Sequence, residues 1–202
     1  MPHPHIYLAS RSPRRRELLT QIGVSYEMLL LREHHARAAD VNEDALPGEL
    51  PEAYVRRVCE TKARTAWRRI GERKLAVPHP VLTADTTVCI DGLILAKPAD
   101  HADAQRMLRL LSGREHRVLS AVALQSSDKR MMAISDTRVR FRNISDDEIT
   151  AYIASGEPMG KAGAYAIQGR AAVFVAMLSG SYSGVMGLPL FETAELLRKF
   201  KP

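Results

Sequence analysis

The stretch VLTADTTVCIDGLIL, residues 81–95, decides the fold class. Val81, Leu82 and Thr83 enter a buried strand. Val88-Cys89-Ile90 and Leu93-Ile94-Leu95 then flank Asp91-Gly92, a pair suited to a type I′ turn because both residues accept positive φ. An antiparallel hairpin is thus set among helical segments. Upstream, Tyr54, Val55, Val58, Ala66 and Ile70 recur at helical spacing and predict a helix over 52–70. Further upstream, residues 6–9 form a short buried strand. Ser12 and Pro13 open a helix that runs to about Gln21 and ends at Gly23. Residues 26–31 read as a strand and 32–51 as a long polar loop, the kind that is usually functional or disordered. Downstream, Asp100 caps a helix over 101–111, closed by Ser112-Gly113. Segments 117–124 and 131–141 alternate as two long strands around a turn. Ser145-Asp146-Asp147-Glu148 is a capping box that opens a helix ending at Gly156. A strand over 171–178 and a helix over 190–200 complete the chain. Mixed strands and helices with antiparallel hairpins make the class α/β or α+β.

The 202 residues suit a single domain spanning 1–202, with room for a second small lobe. Hydrophobic residues at 46% and charged residues at 26% exclude disorder, collagen-like repeats and a coiled coil. The net charge of +6 favours an anionic partner: a nucleic acid, a membrane or a small phosphate. Two cysteines without a CxxC argue against a structural zinc site or a secreted disulfide framework and for free thiols in a reducing compartment. The start of the chain has no signal-peptide pattern and no apolar run spans a bilayer, so a cytoplasmic location is expected. His3 and His5 have the spacing of metal ligands, but a polar terminus carries no assignment on that ground alone.

Five constellations could carry chemistry. Ser10-Arg11-Ser12-Pro13-Arg14-Arg15-Arg16 joins a strand to a helix, where free N–H groups and guanidinium forks suit phosphate; it reads equally well as a capped surface helix. Asp85 follows a buried strand, the end at which ligands bind in α/β proteins, and could hold Mg²⁺ or take a proton from water; on its own a turn aspartate is the simpler reading. Lys62 and Lys97 could meet phosphate or simply be solvated. Asp40 and Glu43 in the long loop could add carboxylates to Asp85. The segment from Glu157 to Gly169 offers glycines for close approach, Lys161 for phosphate and the Gln168 amide for a nucleobase edge; the alternative for it, and for 181–189, is a flexible surface loop. His116 reads as structural. The arginines at 56, 57, 64, 68 and 69 read as a solvated face, and the single tryptophan leaves a base-stacking surface unsupported.

Jointly, YLASRSPRRRELL, ETKA, LTADTTVCIDGLILAKP, MLRLLSGREHRV, SGEPMGKAGAYAIQG and GSYSGVMGLPLFET resemble the Maf family of nucleoside triphosphate pyrophosphatases over nearly the whole chain. The resemblance implies a fold like that of the inosine triphosphate pyrophosphatases, a long mixed sheet with flanking helices around a central cleft. It also implies hydrolysis of a nucleoside triphosphate to the monophosphate and pyrophosphate with a divalent cation, Mg²⁺ or Mn²⁺. Asp85 matches the family's proton acceptor, and Arg14, Thr86 and Gln168 match the positions that mark substrate choice. Glutamine in the IQG string resembles the dTTP/UTP branch, where its amide can satisfy the O4 and N3–H edge of uracil or thymine; modified nucleotides such as 5-methyl-UTP and pseudo-UTP fall in the same class. The family usually has an acidic pair before the long helix, whereas this chain has Asn42-Glu43. Glu43 is therefore the first choice as metal partner of Asp85, with Asp40 and Glu33 in reserve.

On this reading Ser10, Ser12, Arg14, Lys62, Lys97 and Lys161 offset the triphosphate charge. The resemblance is compatible with a homodimer and requires neither stable nucleic-acid binding nor a membrane. The alternatives are an enzyme for 7-methyl-GTP or non-standard purine nucleotides, and a nucleic-acid-binding regulator linked to cell division.

Overall fold

A computed structural model describes residues 5–31, 40–75 and 79–200; His3 and Glu33 lie outside them. The chain order is β1 (Ile6–Leu8), α1 (Pro13–Gln21), β2 (Tyr26–Met28), α2 (Pro51–Glu72), β3 (Val81–Ile90), β4 (Leu93–Leu95), α3 (His101–Leu111), β5 (Glu115–Gln125), β6 (Arg130–Phe141), α4 (Asp146–Ala154), β7 (Val175–Ser179), α5 (Tyr182–Met186) and α6 (Leu190–Lys199). The expected mixed sheet is present. Its seven strands run β2-β1-β3-β5-β6-β7, with β4 added beside β3. β2, β1 and β3 are mutually parallel, and β3, β5, β6 and β7 form an antiparallel run.

Several local signals work as read. Asp91 and Gly92 both have positive φ, as a type I′ hairpin needs. Asp100 accepts from the Asp103 N–H, and Ser145 with Glu148 forms a complete capping box. Two readings change. Residues 171–178 are not one strand: Arg170–Phe174 is a 3₁₀ turn, and only Val175–Ser179 pairs with β6. Asp85 does not follow a strand but sits inside β3, opposite Ala121 of β5. The polar residues Thr83 to Thr87 look like a break in the apolar run, yet pairing with β5 continues through all of them.

Side chains alternate across β3 and β5. One face carries Cys89, Leu119, Ala121 and Ala123 against Tyr54, Val55, Val58, Cys59 and Ala63 of α2. The other face has two separate apolar halves. Leu82, Ala84, Val122 and Leu124 pack with Leu18 and Leu19 of α1 and Leu196 and Leu197 of α6. Val88, Ile90 and Val118 pack with Met107, Leu108 and Leu111 of α3 and Ile149 of α4. Between the halves lie Thr86 and Ser120, directly opposite in register, with hydroxyls 2.8 Å apart. Ser120 donates onward to the Gly184 carbonyl of α5 at 2.6 Å. A polar seam thus divides this face at the level of the cleft.

His116 is 2% exposed, edge-on to Phe141, with Nε2 2.9 Å from the Tyr165 hydroxyl. Burial pushes its imidazole down from 6.5 to about 4, against a smaller opposing effect of the Arg114 backbone. Below 6.5 the unfolded chain therefore takes up a proton that the folded chain refuses until about 4, and stability falls as pH drops through that window. This group alone should remove about 2 kcal/mol between pH 7 and pH 5. Denaturant titrations should show that loss in the wild type and a flatter profile in His116→Gln; identical profiles would dismiss it.

Candidate active site

Strand β3 has a continuous neighbour in β5, but its other edge changes partner. β1 pairs with it at Val81 and Leu82, and β4 pairs only from Val88 onward. A cleft of about 580 Å³ opens along the edge between them, within the usual range for a small-ligand pocket. Every first-choice residue for substrate or metal lines it: Ser10, Ser12, Arg14, Glu43, Lys62, Asp85, Thr86, Lys97, Lys161 and Gln168.

The first wall is the β1–α1 junction. Ser12 occupies the N-cap position and Pro13 the first helical position, but the Ser12 side chain caps nothing. Free N–H groups of α1 are therefore open to an anion. Arg14 donates to the Met186 carbonyl at 3.3 Å. Arg15 donates to the Gly187 carbonyl at 2.7 Å and to Ser10 Oγ at 3.3 Å. The sequence singled out Arg14 and passed over Arg15; three consecutive arginines do not reveal which ones face inward until the loop at 186–187 is placed.

The floor is a charge bridge. Lys62 Nζ, from α2, lies 2.7 Å from Asp85 Oδ1 and 2.9 Å from Glu43 Oε1. Asp85 is only 6% exposed. Burial alone would lower the Lys62 ammonium, but Asp85 and Glu43 outweigh it and hold it above its ordinary value. Burial acts to raise Glu43, yet Lys62, with help from Lys97 and Arg15, holds it below the usual carboxylate range. Lys97 is mostly solvated, 3.9 Å from Glu43 Oε2.

The loop that carries Glu43 is laced to α2. Tyr54 donates to the Glu43 carbonyl at 2.8 Å, Arg57 grips Glu49 and the Asp44 carbonyl, and Arg69 pairs with Asp40. Asp40, held in reserve as a metal ligand, has a side chain only 2% exposed and bound to Arg69, and it does not line the cleft. Arg57 and Arg69 are therefore loop anchors rather than a solvated face.

The opposite wall is the segment after α4, which is packed and not a free surface loop. Gly163 (φ +67°) donates its N–H to the Ala96 carbonyl at 3.2 Å. A Cβ there would come within 2.8 Å of the Val88 side chain. Glu157 accepts from the Tyr152 hydroxyl at 2.9 Å and the Arg170 N–H at 3.0 Å. It also fills the space where a Cβ on Gly169 would lie, so this carboxylate clamps the turn that presents Gln168. Lys161 and Arg14 face each other across the cleft. Burial lowers both, Arg14 lowers Lys161 further, and Glu157 only partly offsets the effect. Two crowded cations of this kind make a site that gains from an incoming anion.

Two carboxylates converge on one point, and each gives a single oxygen to Lys62, which leaves a second oxygen for a hard cation. Mg²⁺ or Mn²⁺ needs no more than one or two carboxylates when phosphates and water complete the shell, so the donor set fits. Among the described residues the one grouping of three metal-capable side chains, His5, Glu27 and His79, lies outside the cleft. Replacing Lys62 with Met should raise the Glu43 pKa, because the largest opposing charge is removed while burial remains. A carbon-detected NMR titration that leaves Glu43 unmoved would refute the bridge.

A family model described as Maf-like protein matches residues 5–200. A dTTP/UTP pyrophosphatase of Ralstonia nicotianae is 61% identical, over 97% of this chain and 94% of its own. Proteins of the same name from Cupriavidus pinatubonensis and Nitrosomonas europaea are 58% and 56% identical, covering 98% and 96% of this chain and 97% and 93% of theirs. A solved structure, that of the Staphylococcus aureus Ham1 protein, aligns with a TM-score of 0.44 at 14% identity, over 68% of this chain and 71% of that one. Matched by the family model over residues 5–200 and by relatives more than half identical along nearly its full length, the chain belongs to the Maf family.

Proposed function

We propose that the chain is a nucleoside triphosphate pyrophosphatase that hydrolyses dTTP and UTP to the nucleoside monophosphate and pyrophosphate. The observation that carries this reading is the cleft itself: a buried carboxylate, Asp85, faces a ring of cations beside the open N-terminus of α1. The pyrimidine triphosphate class follows the name shared by the relatives. A cytoplasmic location accords with this substrate, and no helix of the described residues is long and apolar enough to cross a membrane.

The triphosphate lies along the β1–α1 junction. Ser10, Ser12 and the free N–H groups of α1 donate to its oxygens, and Arg14 and Lys161 close on it from opposite walls. Asp85, oriented by Lys62, takes the proton from the water that attacks the α-phosphorus. The bond from that phosphorus to its bridging oxygen breaks, and pyrophosphate leaves with its charge offset by Arg15, Lys97 and Lys161. Asp85 and Glu43 would hold a divalent cation, which when bound supplies charge neutralisation at the phosphates. Gln168, exposed at the rim, presents its amide donor and acceptor to the O4 and N3–H edge of the base. Thr86, tied to Ser120 at the polar seam, lines the cleft beneath.

Asp85→Asn should lower kcat by about 10²–10⁴-fold while the melting temperature stays close to the wild type. A folded variant with near-normal pyrophosphate release from dTTP would overturn the assignment. Gln168→Glu should lower kcat/KM for dTTP and UTP by about tenfold or more relative to 7-methyl-GTP, since one base-edge hydrogen bond becomes a repulsion. A plate of dTTP, UTP, CTP, 7-methyl-GTP and ITP with Mg²⁺ or Mn²⁺ reads this directly, and unchanged ratios would remove Gln168 from substrate choice.

A further inference from the structure

Histidines 5 and 79 play no part in the cleft, and the parallel part of the sheet brings them together. The register pairs Tyr7 with Glu27 of β2 and with Val81 of β3. Two residues back along a strand the side chain returns to the same face. His5, just before β1, and His79, two residues before Val81, therefore share the face that carries Tyr7 and Glu27. His5 Nε2 lies 3.2 Å from Glu27 Oε1. The His5 and His79 rings meet edge-on with centroids 4.6 Å apart. One ligand atom from each of His5, Glu27 and His79 lies within 4.8 Å of the other two.

We propose that His5, Glu27 and His79 form a binding site for a zinc-class divalent ion that staples the starts of β1, β2 and β3, separate from the catalytic cleft. The hydrogen bond between His5 and Glu27 accounts for those two residues but not for the second imidazole set against the first. Two neighbouring imidazolium ions repel, whereas two neutral imidazoles each offer a lone pair to a shared cation. Two nitrogens and one carboxylate oxygen are the donors of Zn²⁺, Co²⁺ or Ni²⁺ and not of Mg²⁺, which prefers oxygen alone. The set leaves further coordination positions to water, and the partial exposure of all three residues lets an ion enter.

The backbone is prepared for this role. His79 precedes Pro80, which biases it to extended conformations. The Pro80 carbonyl accepts from the Tyr7 N–H at 2.8 Å, which fixes the start of β3 against β1. None of the three ligands lines the cleft. His5 is five residues before Ser10, about 16 Å by strand rise, so the ion would stand at the opposite end of β1 from the phosphate site. By joining three strands distant in sequence, it would stabilise the folded state only.

Full-length protein stripped of metal should be titrated with Zn²⁺ by calorimetry, and its melting temperature followed with and without the ion. The wild type and Asp85→Asn, which impairs the cleft, should each bind one Zn²⁺ outside the cleft and melt several degrees higher with it. His5→Asn and His79→Asn should each weaken that binding at least tenfold and abolish the shift. Co²⁺ bound to the wild type should give the intense visible bands of a four-coordinate site, which octahedral oxygen ligation in the cleft would not, a readout that does not depend on any variant folding. No Zn²⁺ binding outside the cleft, binding that survives both histidine changes in the Asp85→Asn background, binding lost only in Asp85→Asn, or only the weak bands of octahedral Co²⁺ would each overturn the proposal.

Discussion

Strand β3 can have a complete partner on only one of its edges, and the rest of the molecule is arranged around that constraint. β5 follows it along nearly its whole length, while the opposite edge passes from β1 to β4 with a gap between Leu82 and Val88. An edge without a neighbour leaves backbone groups to be satisfied by something other than a strand. The polar run Thr83-Ala84-Asp85-Thr86-Thr87 occupies that gap. Alternation sends Asp85 to the α2 face and Thr86 to the other, yet both line the same cleft because the missing strand opens it from both sides.

Around the gap the charges neutralise one another in layers. Lys62 holds the buried Asp85 and the partly exposed Glu43 together, and its charge offsets the repulsion between the two carboxylates. Arg57, Arg69 and Tyr54 fix the loop that delivers Glu43. The cations of the walls, Arg14 and Lys161, lack an equal set of acids. The balance of the cleft is therefore anionic at its floor and cationic at its sides, the order in which a metal-bound polyphosphate would need them. Part of the net charge of +6 lies in this cleft, in Arg14, Arg15, Lys97 and Lys161.

Much of this was legible in the sequence where the signal is local. Pro13 after Ser12, the Asp91-Gly92 hairpin, the Asp100 cap and the Ser145–Glu148 box each act within a few residues, and each appears where read. What escaped depends on distant partners. Asp85 looked like the end of a strand because polar residues interrupt an apolar run, and only β5 shows that pairing continues. The apolar string at 171–178 matched a strand by composition, but its first half turns to meet Glu157. Arg15, Arg57 and Arg69 became readable only once their carbonyl and carboxylate partners were in place. The contact of His5 with His79 follows from a parallel register, which no short motif encodes.

The parallel pairing of β1 with β3 also bears on how the chain assembles. The antiparallel strands from β3 to β6 are joined by short connections and one helix, so their pairing closes small loops. β1 meets β3 only after the chain has passed through α1, β2 and α2. The parallel seam is therefore the contact of highest sequence separation in the sheet, and it brings Ser10 to the cleft that Asp85 lines. A polyphosphate bridging the two would act as a clasp on the last seam to close, coupling occupancy of the cleft to the cooperativity of folding.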